Sequence, residues 1–257
     1  VQTTQFSISS NYRRGFDITL DGCRFDGGLY HYFNGTGNVT IKNCVFQGDG
    51  EADASYAVML QGHVSEPLTV RLTGNTISGF TRGVNIDQVT ADVTVTGNTI
   101  TPGVGYSAIQ LSGFRTALVA DNVVYDQGNF LTFHANLAVN PLENRIATVR
   151  DNTVYAVSGV QGYLIYDDIS AAGTYPEPSY FTLNWENNAV DSGIISAPGI
   201  KGDALFDLSP YLYGVIDEPA QVGEQRYPSL QAAVDAVQDG QTVTLLRDVT
   251  LTETLTI

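Results

Sequence analysis

Cations, thiols and long apolar runs are what this chain of 257 residues has little of. Its 12 lysines and arginines face 27 acids, leaving a formal net charge of -15. So acidic a surface repels a nucleic-acid backbone and an anionic membrane alike, and neither is expected as a partner. Two cysteines are too few for a disulfide framework, and they lack the CxxC spacing of a zinc site. No run approaches the roughly 18 apolar residues of a membrane span, so no membrane insertion is expected. The opening VQTTQFSISS lacks the basic-then-apolar order of a signal peptide, and the chain is expected to be a soluble fragment or a mature form. With 43% hydrophobic and 15% charged residues it also lacks the composition of a disordered protein, and it can bury a core.

What is present is a repeat. ITLDGCRF, VTIKNCVF, VRLTGNTI, VTVTGNTI, ALVADNVV, ATVRDNTV and LNWENNAV share one pattern: alternating apolar residues, a small or polar residue, then Asn or Cys, then an apolar residue two further on. The anchors are Cys23, Cys44, Asn75, Asn98, Asn122, Asn152 and Asn188, within the period of roughly 20 to 50 residues that marks stacked architectures. Alternation puts Ile18, Leu20 and Phe25, then Val39, Ile41 and Phe46, Val70, Leu72 and Ile77, and Val93, Val95 and Ile100 on one buried face. The opposite face is polar and often β-branched: Thr19, Thr40, Arg71, Thr94 and Thr148, then Asp21, Lys42, Thr73, Thr96 and Arg150. A second strand follows in most coils (YAVMLQ, RGVNID, SAIQLS, FLTFH, YLIYD), with turns too short for crossover helices. The expected fold is all-β, a parallel β-helix of about seven or more coils spaced about 4.8 Å apart.

At the anchor, asparagine is expected both to accept a left-handed backbone and to bond the identical amide one coil away, a structural ladder rather than a ligand site. Cys23 and Cys44 hold this position in adjacent coils. Stacked free thiols are favoured there over a strained disulfide, since directly stacked side chains hold their Cβ atoms too far apart.

Three coils are over-long, with excess at 47 to 55, 136 to 145 and 168 to 179, the kind of insertion that forms binding faces in solenoids. Residues 1–219 read as the β-helix, and 220–257 as a separate unit that caps it or opens a following module, the cap being preferred. That unit holds one short amphipathic helix, with Leu230, Ala233, Val234 and Val237 at helical spacing, Ser229 as N-cap and Gly240 past the end. Strand alternation then restarts and stops at Ile257, so the chain is expected to belong to a longer, multi-module protein.

The units VTVTGNTI and VTIKNCVF, over about residues 15 to 200, resemble the right-handed β-helix repeats of the pectin-lyase-like superfamily. The tail RYPSLQAAVDAVQDGQTVTLLRDVTLTETLTI is similar to segments that open β-helical modules in large surface proteins of anaerobic gut bacteria. This implies a secreted or cell-surface setting. The superfamily includes polysaccharide lyases, glycoside hydrolases, esterases, tailspikes and non-catalytic adhesins, so the resemblance does not choose a function.

Outward residues of the second strands form two files: Met59, Asn85, Gln110, Thr132 and Ile165, and Gln61, Asp87, Ser112, His134 and Asp167. His134 and Asp167, expected one coil apart, could act as a base with its orienting carboxylate, with Asp168 as a further acid. The bland alternative is a silent exposed pair. Glycosidase chemistry needs carboxylates about 5 to 9.5 Å apart, which only Asp167 with Asp168, or with a loop acid such as Glu177, could supply. Ser112 between Asp87 and His134 suggests a triad, but no GxSxG elbow supports it. Lyases of the superfamily resemble one another in pairing calcium-binding acids with a basic residue. Here only GDGEAD, with Asp49, Glu51 and Asp53, is calcium-like, and a solvated acidic loop fits it better. Calcium could bind there; no other cofactor is expected. Tyr125 and Tyr155, at one outward position in consecutive coils, and Tyr175 beside the longest insertion could stack on sugar rings, though such pairs also simply stabilise sheets. Trp185 belongs to the core.

The reading that follows is a non-catalytic carbohydrate-binding or adhesive module whose partner is a polysaccharide or surface glycan, its face lying between the insertions at 136 to 145 and 168 to 179. Asp87, Gln110, Ser112, Tyr125, Arg145, Tyr155 and Tyr175 are its candidate ligand contacts. A polysaccharide lyase or glycoside hydrolase using His134, Asp167 and Asp168 is the alternative, and a structural spacer the third.

Overall fold

The computed structural model describes residues 6–10, 15–33, 36–50, 56–62, 67–87, 90–103, 106–126, 128–134, 145–156, 163–167, 181–191, 215–216, 219–223, 225–227, 229–246, 249, 251 and 254–256. The repeat folds into three parallel sheets. The first stacks Phe6–Ser10, Leu29–Phe33, Tyr56–Gly62, Arg82–Asp87, Ser107–Gly113, Asn129–Phe133 and Tyr163–Asp167. The second stacks Phe16–Asp21, Gly37–Lys42, Leu68–Thr73, Ala91–Thr96, Thr116–Ala120, Ile146–Arg150 and Thr182–Glu186. The third holds eight short strands, from Arg24–Phe25 to Val215–Ile216. Seven coils each contribute one strand to each sheet and pair in register with the next, as in Val93↔Val70 and Val93↔Ala117, and Val215–Ile216 adds an eighth strand to the third sheet alone. Among the described residues no helix is long and apolar enough to cross a membrane.

The core is the expected inward face. Val39, Ile41, Phe46, Val70, Leu72, Ile77, Val93, Val95 and Ile100 are each at most 2% exposed. Trp185 joins them, its ring edge-on to Phe130. The strand Ala91–Thr96 alternates buried and half-buried residues along its whole length, as period-2 patterning requires.

The asparagine ladder is present. Asn75, Asn98, Asn122 and Asn152 each donate the side-chain amide to the Oδ1 of the next asparagine, at 2.8 to 2.9 Å, and the backbone N–H goes to the same oxygen. Each amide also reaches back to a carbonyl of the coil before, as Asn98 Nδ2 does to Leu72 O at 3.0 Å. One expectation needs correcting: the left-handed residue is not the anchor but its predecessor. Gly22, Asn43, Gly74, Gly97, Asp121, Asp151 and Asn187 have φ between 51° and 65°. The work divides because the predecessor must turn the chain outward while the anchor's side chain must stay in the core, so the anchor can keep an ordinary φ. Both cysteines are free thiols.

Beyond Val215–Ile216 the chain forms an antiparallel sheet of Ala220–Val222, Gln225–Tyr227 and Val243–Leu245, against which packs the helix Leu230–Ala236. Ser229 is its N-cap, accepting from the Ala232 N–H at 3.1 Å. Ala220, Val222 and Ala233 form a small core of their own with Tyr227, Leu230, Val237 and Val243 around it.

Candidate functional site

The first sheet is where alternation fails, and that failure shapes its outer face. Near the start of its strands two consecutive residues point inward: Ala57 and Val58, Ala108 and Ile109, Phe130 and Leu131, and Leu164 and Ile165, all at most 3% exposed. At the same level Gly83 precedes Val84, and a Cβ on Gly83 would lie 2.2 Å from the Ala108 carbonyl oxygen. The chain bends here, which sends Tyr56, Arg82, Ser107 and Asn129 to the outer side beside the file Met59, Asn85, Gln110 and Thr132.

This outer face is a hydrogen-bonded polar surface. Ser112 Oγ donates to Asn85 Oδ1 at 2.9 Å, Gln110 Nε2 donates to Ser112 Oγ at 2.9 Å, and Asn85 Nδ2 lies 3.0 Å from Met59 Sδ. The Ser107 and Thr132 hydroxyls bond across neighbouring coils, and the Tyr30 hydroxyl donates to Gln61 Oε1 at 2.7 Å. Asn85, Ser112 and Thr132 are no more than 5% exposed although they lie on the outer side. Beside them the Arg82 guanidinium sits between two tyrosine rings, 5.0 Å from the centre of Tyr56 and 4.9 Å from that of Tyr106. Its Nη1 reaches the Tyr56 hydroxyl at 3.3 Å, and among the described residues no carboxylate pairs with it. Stacked rings hold the fork flat, so little side-chain entropy remains to be lost when it meets a ligand.

Asp87, Gln110 and Ser112 thus share one sheet, with His134 just past the end of a strand of the same sheet, its N–H bonded to Leu111 O at 3.1 Å. The files are not as expected, however. The register shifts between Ile86 and Asp87, so Asp87 aligns with Gly113 and leaves Ser112 bulged toward Asn85. Ser112 spends its proton on Asn85 Oδ1, so it does not form a triad with His134. Asp167 aligns with Phe133, one step short of His134, and Tyr166 rather than Ile165 stands opposite Thr132. Ile165 is wholly buried. A one-residue slip exchanges the two faces of a strand, and that separates the register positions of Asp167 and His134.

Two further candidates lie elsewhere. Arg145 is 1% exposed, donates Nε to Phe114 O at 2.7 Å and lies 5.5 Å from the Phe114 ring centre; burial lowers its guanidinium to about 10. It is an interior residue, not a surface ligand contact as expected. The reason is that its guanidinium turns onto the core residue Phe114, whose carbonyl and ring take the place of solvent. Tyr125 and Tyr155 stack at 5.4 Å, but on the third sheet. Asp168, Tyr175 and Glu177 lie outside the described residues, as do most of the three insertions, including Glu51 and Asp53.

A family model described as right handed beta helix region matches residues 27–175, more than half of the chain. The chain belongs to the right-handed β-helix family. No curated protein and no solved structure matches it. Within this β-helix, Arg82, Tyr56 and Tyr106 are what repeat reading missed. For Tyr56 and Arg82 the signal was the residue just before each small-apolar pair, as in Y-A-V and R-G-V, a position that simple alternation assigns to the interior, whereas Tyr106 lies one residue before the matching Ser107.

Proposed function

We propose that this β-helix is a secreted or cell-surface module that binds a glycan without cleaving it, using the outer face of its first sheet. The observation that carries the reading is the arrangement of Arg82 between Tyr56 and Tyr106 beside the bonded file of Asn85, Ser112 and Gln110. Sugar hydroxyls need several fixed donors and acceptors with an apolar ring surface alongside, and this face offers both. The insertions at 136 to 145 and 168 to 179 both follow strands of this same sheet in sequence, and long connections of this kind are where binding residues commonly gather. The register of Asp167 against Phe133 counts against a His134 base oriented by Asp167, the pairing considered for lyase chemistry.

A glycan array, run with and without calcium and followed by product analysis of every glycan bound, tests this. Binding without products is expected, with Arg82→Ala weakening it about tenfold, the effect of losing an anchoring arginine. Products would establish the enzyme instead, and a blank array would leave a spacer.

A further inference from the structure

The Tyr125 and Tyr155 pair is covered by the chain itself. Arg226, on Gln225–Tyr227 of the small antiparallel sheet, places its guanidinium 4.0 Å from the Tyr155 ring centre and 5.7 Å from that of Tyr125. Its Nη1 reaches Asp191 Oδ2, on the third sheet, at 3.3 Å. The two charged side chains are only 7% and 9% exposed, so the contact has been taken out of water. Yet the apolar cores on either side stay separate: Ala220, Val222 and Ala233 form one cluster, and the coils form another. Among the described residues, what joins the C-terminal unit to the coils is therefore a cation on two rings with one carboxylate, not shared apolar burial.

Such a joint fixes position more than it stabilises. A buried ion pair regains in attraction about what its desolvation costs. This one is incompletely compensated, because Arg226 Nε is buried with no hydrogen-bond partner. The coils, by contrast, are cross-linked by sheet bonds and core, and from Asn75 to Asn188 by the amide ladder as well. The chain also connects the two parts closely: Val215–Ile216 pairs with Ala189–Asp191, and the antiparallel sheet starts at Ala220. With so short a tether, an opened joint faces its own receptor at high effective concentration and recloses readily.

We infer that the C-terminal unit is a strap, closed by Arg226 over the Tyr125, Tyr155 and Asp191 receptor and able to open as a unit while the coils remain folded. When open it uncovers two stacked rings and an acid, a receptor suited to a guanidinium group. This stands independently of the glycan reading, since it concerns another sheet.

Native-state hydrogen exchange followed by mass spectrometry tests it on the whole chain. In the wild type, amides of Ala220–Val222 and Gln225–Tyr227 exchange through an opening with little urea dependence, while those of Ala91–Thr96 require global unfolding. Arg226→Ala speeds exchange in the strap at least tenfold, leaves the Ala91–Thr96 amides unchanged and raises hydroxyl-radical oxidation of Tyr155; Arg226→Lys, which keeps charge but loses the flat fork, falls between. Strap amides in the wild type that exchange only with the coils would overturn the inference without recourse to any variant. So would an Arg226→Ala chain in which coils and strap accelerate equally.

Discussion

The first two coils and the middle coils are built to one plan with different materials. In the middle, Val93, Val95 and Ile100 are at most 2% exposed and Asn98 is bonded on both sides along the ladder. In the first coil Phe16, Ile18, Leu20, Cys23 and Phe25 are only half-buried, and thiols stand where the amides would be. The thiols imitate the amide closely. Cys44 Sγ lies 3.6 Å from Leu20 O and 3.2 Å from Lys42 O, the same two carbonyl positions that Asn98 Nδ2 serves at Leu72 and Thr96. But a thiol has one proton, and burial pushes its pKa up rather than giving it a strong donor. In a solenoid each coil is held by its neighbours, so the exchange of amide for thiol makes the two cysteine coils the weaker end of the ladder.

The largest effect expected comes from breaking the ladder at its centre. Asn98→Ala removes bonds to Leu72 O, Thr96 O and Asn122 Oδ1, and strands the Asn75 N–H and amide without their acceptor. Several buried polar groups left unsatisfied together cost about 3 to 5 kcal/mol. Urea unfolding of Asn98→Ala beside Cys44→Ala measures the contrast. A loss at Asn98 no greater than at Cys44 would mean that the amide ladder adds nothing over a thiol.

Acid should act on the weaker end first. His31 is 1% exposed on the second strand of the first sheet, in register with Ile8 and Leu60, and desolvation lowers its pKa from 6.5 to about 4. For a base lowered on folding, the stabilisation is complete above the unfolded value of 6.5 and is lost as pH falls toward 4, because only the unfolded chain takes up the proton. The full loss is about 3 kcal/mol. Asp21 and Asp92, whose carboxyls are held low chiefly by Asn43 and Arg115, contribute their own loss only below the ordinary carboxylate range. Stability compared between pH 7 and 4.5 should therefore fall in the wild type and stay nearly level in His31→Leu. Equal slopes would show that the ring is not held neutral.

The sequence made the coils legible because their signal is redundant: seven anchors agree on what faces inward, and one misread residue changes nothing. The site had no such redundancy. The doubled inward pairs at Ala57 and Val58, and at Ala108 and Ile109, break strict alternation by one step. The bulge at Ser112, opposite the step from Ile86 to Asp87, adds another. Each slip exchanges inside for outside, which is why Ile165 looked exposed, Asp167 looked level with His134, and Arg82 was passed over. Arg226 was invisible for another reason: its partners Tyr125, Tyr155 and Asp191 lie 35 or more residues away, outside any local pattern.

The smallest change runs in the opposite direction, making the weak end resemble the middle. Cys44→Asn would add a second proton for the Leu20 and Lys42 carbonyls, and its amide could also donate to Asn75 Oδ1, which already accepts the residue 44 N–H at 2.9 Å. Its own oxygen would take over from the Cys44 sulfur as acceptor of the Cys23 N–H. Against this stands the larger volume of the amide in a fully packed coil, where overpacking has its own cost. The ladder geometry is already set on one side by Asn75, so the hydrogen bonds should prevail and stabilise the chain by about 1 kcal/mol. The gain should show as a higher urea midpoint with an unchanged slope. A lower midpoint would mean that the thiols are there because the first turn is too narrow for an amide, and that the two ends of the comparison differ in backbone as well as in side chain.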